Sequence, residues 1–216
     1  MPTTPDLIRA ALADARPYAN YREHLTELLA EGRTPGPNQG QVYLDAAHIN
    51  QSRMDRLDRR PRLTDELAGL LAERCGPQSP ELLFLVLTEG WCGDAAQTVP
   101  VMHWVAGAAP AISMALLLRH RHPDLMAHFL TDGAESIPKL IVVNPATHEV
   151  LADWGPRPAP AQEIAMRYKR APEPKPDYDK YQKELHTWYA RDKTRTTQAE
   201  LRALLAAVGT GGPAPR

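Results

Sequence analysis

The spacing of apolar residues changes twice along the chain and divides it into three parts. Over residues 1–79 the spacing is helical. Leu7, Ile8, Ala11, Leu12 and Ala15 share one face, and after Pro17 so do Tyr18, Tyr21, Leu25, Leu28 and Leu29. EGRTPGPNQG (31–40) is too rich in Gly and Pro for a regular element and reads as a loop. The helical pattern resumes from about Leu44 to Leu57 and, after Pro61, from Thr64 to Arg74, with Thr64 as N-cap. Residues 80–170 read differently. ELLFLVLT (81–88) is a continuous apolar run bounded by turn residues, the pattern of a strand buried on both faces. Then come a helix (95–106), a strand (112–118), a short helix (123–129), a strand (139–143), a turn at NPATHE, a strand (150–154) and a closing helix (159–169). This order predicts an α/β fold with a mixed sheet whose last two strands form a hairpin. APEPKPD (171–177) is a stiff connector to two further helices, 178–191 and 197–208, the second with Thr197 and Glu200 as a capping box. GTGGPAPR (209–216) reads as a flexible tail.

Two segments in the central part carry chemistry. WCGDAAQTVP (91–100) follows the first strand, and SIPKLIVV (136–143) spans the third. Together they resemble the thioredoxin superfamily. In that superfamily a strand ends in Trp-Cys-Gly-Pro-Cys, the next helix carries a proline, and Ile-Pro with a cis bond opens a later strand. Trp91, Cys92 and Gly93 match the start of the motif, Pro100 matches the helix proline, and Ile137 and Pro138 match the cis-proline turn. The match is most similar to a bacterial thioredoxin-like group with a helical N-terminal extension and a WCGDA motif. The resemblance implies a thioredoxin-like fold over 80–170, with helical extensions at 1–79 and 171–208. It also implies a groove in which Trp91, Gly93, Ile137 and Pro138 contact substrate, with the Ile137 backbone holding an extended chain by strand-like bonds.

The chain departs from the motif at two positions: Asp94 replaces the proline and Ala95 replaces the second cysteine. Without a second thiol, Cys92 cannot resolve its own mixed disulfide. A catalytic role for Cys92, with Asp94 beside it, therefore requires an external thiol such as glutathione. A helix N-terminus favours the thiolate, whereas a carboxylate two residues away raises the thiol pKa. Asp94 also suits the first turn or cap of a helix, with Gln97 one turn on as a hydrogen-bond partner. Three readings follow: monothiol thiol–disulfide exchange, a non-catalytic binding or interaction module, and a peroxide-reactive thiol. Cys75 precedes the strand that delivers Cys92. Seven residues of strand span roughly 23 Å, which places Cys75 at the opposite end of the sheet.

The remaining chemistry narrows the partners. Lys and Arg number 25 against 26 Asp and Glu, a net charge of −1 spread along the chain, which argues against nucleic acid. No stretch reaches the roughly 18 apolar residues of a membrane span, and no secretory leader is evident in residues 1–18. With 2 cysteines a disulfide framework is excluded, and a cytoplasmic location is expected. The expected partner is a protein or a small thiol or disulfide, with a homo-oligomer formed through the helical extensions as a further option. No cofactor or metal is called for. His120 and His122 would share a face of a strand with His128 nearby, but nothing completes a ligand set. Arg53, Arg56 and Arg60 would line one helix face, either as an anion site or as a solvated charged surface. Arg157 falls in WGPRPAPA, read as a turn.

Overall fold

A computed structural model describes residues 2–208; the expected tail at 209–216 lies outside the described residues. Four strands form the sheet: β1 (Leu82–Thr88), β2 (Ile112–Leu118), β3 (Lys139–Val143) and β4 (Val150–Trp154). Their order is β2-β1-β3-β4. β1 runs parallel to β2 and antiparallel to β3, and β3 pairs antiparallel with β4 through a hairpin that has an irregularity at Val142–Val143. All residues of β1 and β3 are buried, as their unbroken apolar sequence requires. β4 alternates only at its end, with Ala152 and Trp154 inward. This is the mixed α/β sheet expected from the sequence.

Nine helices surround the sheet among the described residues: α1 (Thr4–Ala11), α2 (Tyr18–Ala30), α3 (Gln41–Asp58), α4 (Asp65–Arg74), α5 (Ala95–Ala108), α6 (Pro123–Met126), α7 (Ala159–Arg170), α8 (Tyr178–Asp192) and α9 (Arg195–Val208). Both extensions join the central core. Ile8, Leu25, Met54 and Leu67 from the N-terminal part, and Leu201 and Leu205 from the C-terminal part, pack in one cluster with Phe84, Leu85 and Met102. α5 lies against β1 and β2, and α3 crosses it on the outside. α9 packs on β4 and α4, while α8 pairs with α7. The segment before α2 shields the outer edge of β2, where Arg16 and Leu116 exchange backbone hydrogen bonds at 2.9 and 2.8 Å. Among the described residues no helix is long and apolar enough to cross a membrane.

Several local expectations are corrected. α9 begins at Arg195, so Thr197 is buried inside the helix and does not cap it. Glu200 instead accepts hydrogen bonds from Trp154 Nε1 at 2.7 Å and from the Ala159 amide at 2.8 Å, tying α9 to the end of β4 and the start of α7. His120 lies in a single 3₁₀ turn (119–121) rather than on a strand, with His122 just after it, so the alternation argument for a shared face does not apply. Arg60 falls beyond the end of α3, so the three arginines do not line one helix face. Cys75 is the C-cap of α4, its carbonyl accepts from the Ala111 amide just before β2 at 3.3 Å, and both cysteines are free and buried.

The Glu200 bridge yields a stability test. Glu200→Ala removes two hydrogen bonds to a charged acceptor. The expected loss is about 1.5–3 kcal/mol, read from the urea midpoint with an unchanged slope.

Candidate functional site

The turn after β1 carries the motif and is fixed from three sides. The Glu89 carboxylate, almost wholly buried, accepts from His120 at both the backbone amide (2.9 Å) and Nδ1 (2.8 Å). Asn50 of α3 donates through Nδ2 to the Gly90 carbonyl at 3.0 Å. A Cβ on Gly90 would approach Leu25 Cδ2 to 2.8 Å, so any side chain here would displace the end of the buried Leu25 of α2. These contacts set the direction in which Trp91, Cys92 and Asp94 leave the strand.

Cys92 is 8% exposed, and its thiol donates to the Ile137 carbonyl at 3.2 Å. The Ile137–Pro138 bond is cis. Burial, and then the Asp94 carboxylate, push the Cys92 pKa up to about 12. The amide groups of Ala95 and Asp94 at the start of α5, together with Arg157, work in the opposite direction and are outweighed. The sulfur is therefore a neutral thiol at physiological pH.

Asp94 stands at the N-cap position of α5, yet its side chain makes no capping hydrogen bond. This corrects the expected cap. The carboxylate turns away to Arg157, whose Nη2 donates to Oδ2 at 2.6 Å, and to Tyr189 of α8, whose hydroxyl donates to Oδ1 at 2.8 Å. Burial opposes the Arg157 charge, but the Asp94 carboxylate more than compensates and raises its pKa above the usual value. Tyr189 is held protonated by burial and by Asp94. Gln97 does not serve Asp94 through its side chain; its Oε1 accepts from Arg56 at 3.5 Å, while its backbone amide donates to the Asp94 carbonyl at 3.1 Å.

Arg157 reaches Asp94 because the chain after β4 turns tightly over Pro138. Gly155 has φ +116°, and a Cβ there would lie 2.3 Å from the Pro138 carbonyl oxygen. Only glycine allows this approach. The Arg157 Nη1 then donates to Gln162 of α7 at 2.8 Å, which fixes the guanidinium.

α8 covers the motif. A Cβ on Gly93 would meet the His186 ring at 3.0 Å, so the glycine lets α8 sit directly on the turn. Burial and the Arg53 charge push the His186 pKa down to about 4. Between α8 and the motif remains a cavity of about 530 Å³, lined by Trp91, Cys92, Gly93, Asp94 and Ile137 among the expected residues and by Arg53 and Tyr181 among others. Pro138 does not line the cavity. The Arg119 guanidinium lies 5.5 Å from the centre of the Trp91 ring, and Tyr43 meets that ring edge-on. Among the described residues no group of His, Cys, Asp and Glu side chains could hold a metal ion.

Tyr189, His186 and Tyr181 were not anticipated. Tyr181, Leu185 and Tyr189 recur every four residues, which marks one face of α8 as inward. Nothing in that pattern says which part of the chain the face meets.

A thioredoxin family model matches residues 36–172. The chain belongs to the thioredoxin family. No curated protein matches it. Two solved structures are similar over almost the whole chain. One is a protein of unknown function from Pseudomonas aeruginosa, 16% identical with a TM-score of 0.57, covering 96% of this chain and 99% of that one. The other is an HIV epitope scaffold, 14% identical with a TM-score of 0.51, covering 89% of this chain and 99% of that one. At such identities the likeness concerns the fold alone, and it extends beyond the family core into the added helices.

Two measurements follow for this thioredoxin-family site. Arg157→Ala leaves a buried carboxylate without its cation and is expected to cost about 3–5 kcal/mol. Tyr189→Phe leaves the ion pair intact and is expected to cost less, so chemical denaturation should rank the two in that order. His186 is kept neutral in the folded state, with a pKa well below the ordinary value of 6.5. Its contribution to stability is therefore present above pH 6.5 and lost as pH falls towards about 4. His186→Gln should flatten that part of the stability–pH curve, read by thermal melts at closely spaced pH.

Proposed function

We propose that this thioredoxin-family chain is a small-molecule-binding protein, with Cys92 serving as a neutral thiol of its pocket rather than as a rapid nucleophile. One observation carries this reading: the Cys92 thiol donates to the Ile137 carbonyl. Exchange with a protein substrate needs a free thiolate and a free backbone edge at Ile137, and here the two groups satisfy one another. α8 adds to the argument. With His186 on Gly93 and Tyr189 on Asp94, an extended peptide has no bare groove to enter, whereas the cavity beneath suits a small molecule. The pocket offers the aromatic rings of Trp91 and Tyr181 and the charges of Arg53 and Glu135, a mixture suited to a small zwitterion with an apolar part.

Monothiol exchange is the second reading, favoured by the amide groups of Asp94 and Ala95 that face the sulfur. It would operate with a small thiol or disulfide as partner once the Asp94 charge is neutralised.

Alkylation separates the two. Iodoacetamide at pH 7, with the Cys92 peptide followed by mass spectrometry, is expected to modify Cys92 no faster than a model thiol. The rate should keep rising through pH 10 without a plateau between pH 6 and 9, because the thiol titrates near 12. A rate well above the model thiol at pH 7 would overturn the binding reading in favour of exchange. Asp94→Asn removes the repelling charge and leaves Arg157 beside the sulfur, so it is expected to accelerate alkylation.

A further inference from the structure

A second cleft lies towards the C-terminal end of α8, beyond the Cys92 cavity. It has a volume of about 610 Å³ and is formed by the end of α3, the start of α4, the motif helix α5 and the turn between α8 and α9. Five cationic side chains line it: Arg56, Arg60, Arg62, Lys193 and Arg195. Two acidic side chains, Asp65 and Glu66, accompany them. None of the five cations forms a salt bridge among the described residues, although Arg22, Arg121, Lys139, Arg157 and Arg167 elsewhere all do. In a chain of net charge −1 this is a marked local excess.

The floor of the cleft is more specific than its rim. Gln97 is 7% exposed and lines the cleft, with its Oε1 accepting from Arg56; the Trp104 Nε1, also at the cleft, is buried without a hydrogen-bond partner. A buried N–H donor without a partner is costly, and an acceptor held in the cleft would satisfy it. Leu57, Leu63 and Trp104 supply an apolar wall beside Gln97. A mobile surface needs no such floor, because lysines and arginines on an ordinary solvated helix pair with neighbouring acids or with water.

We infer that this cleft binds a small molecule carrying a di- or triphosphate group. Five cations against two carboxylates leave an excess that a single carboxylate or monophosphate does not neutralise. Arginine forks match phosphate oxygens bidentately. The Trp104 Nε1 supplies a neutral donor at the base, and the wall of Leu57, Leu63 and Trp104 can take an attached ring. The site does not depend on the reading of the Cys92 pocket. Tyr189 borders the cleft and also holds Asp94, so one residue of α8 takes part in both places.

Titration calorimetry of the full chain at low salt, with pyrophosphate and with ADP as probes, tests the inference. One-to-one saturable binding of pyrophosphate is expected, clearly tighter than that of inorganic phosphate. Tighter binding of ADP than of pyrophosphate would add that the apolar wall takes the ring; equal binding would confine recognition to the phosphates. Arg60→Ala with Arg195→Ala is expected to weaken binding roughly tenfold or more, as loss of charge-assisted hydrogen bonds implies. Lys180→Ala with Lys183→Ala makes the same change in net charge on another surface and should leave affinity unaltered. If the cleft double variant does not fold, Arg60→Glu, at an exposed position outside any helix, gives the same readout. No saturable binding of either probe, equal affinity for inorganic phosphate, or equal weakening by the Lys180/Lys183 control would overturn the inference. None of these results bears on the alkylation of Cys92.

Discussion

A carboxylate out of water needs a cation and donors, and the arrangement around Asp94 follows from that requirement. Left unpaired, its charge would cost several kcal/mol. Arg157 and Tyr189 meet the need from two parts of the chain that are 63 and 95 residues away. Bringing Arg157 there demands the turn at Gly155 over Pro138, and bringing Tyr189 there demands that α8 lie across the motif. The C-terminal helices are thus part of the site and not an ornament on a complete domain. The same carboxylate, together with burial, sets the state of the neighbouring sulfur.

This arrangement gives the substitution of the family's motif proline by Asp94 a physical meaning. In a two-cysteine protein, the helix N-terminus beside the first thiol works towards the anion. Here the same amide groups are present and are outweighed by a fixed negative charge and by the Ile137 carbonyl that accepts the thiol proton. With Ala95 the motif has no second thiol with which to complete exchange. The resting chemistry of Cys92 and the composition of the motif therefore agree.

The elements were legible in the sequence because burial leaves periodic traces. The unbroken apolar run at 82–88 gave a doubly buried strand, and the helical spacing of Tyr21, Leu25 and Leu29 gave α2. Cys92, Trp91 and Ile137 were legible as neighbours through the family motif. The partners of Asp94 were not. Arg157 sits among prolines that read equally well as a plain turn, and the inward face of α8 carries no mark of its destination. The supposed capping box at Thr197 failed for a related reason. Threonine followed three residues later by glutamate fits a helix start, but tertiary demand took Glu200 for Trp154 and Ala159 instead.

That bridge also bears on how the molecule is made. Synthesis delivers β4 and the first residues of α7 before α9, so the Trp154 indole and the Ala159 amide must wait for their acceptor until α9 has been made. Meanwhile β4, at the margin of the sheet, lacks the helix that packs on it, and an uncovered strand is a template for unwanted pairing. A ribosome that stops shortly after the family core therefore releases a chain with an open margin and an unfilled apolar surface. Closing that margin and supplying the Glu200 acceptor are thus one event, the docking of α9.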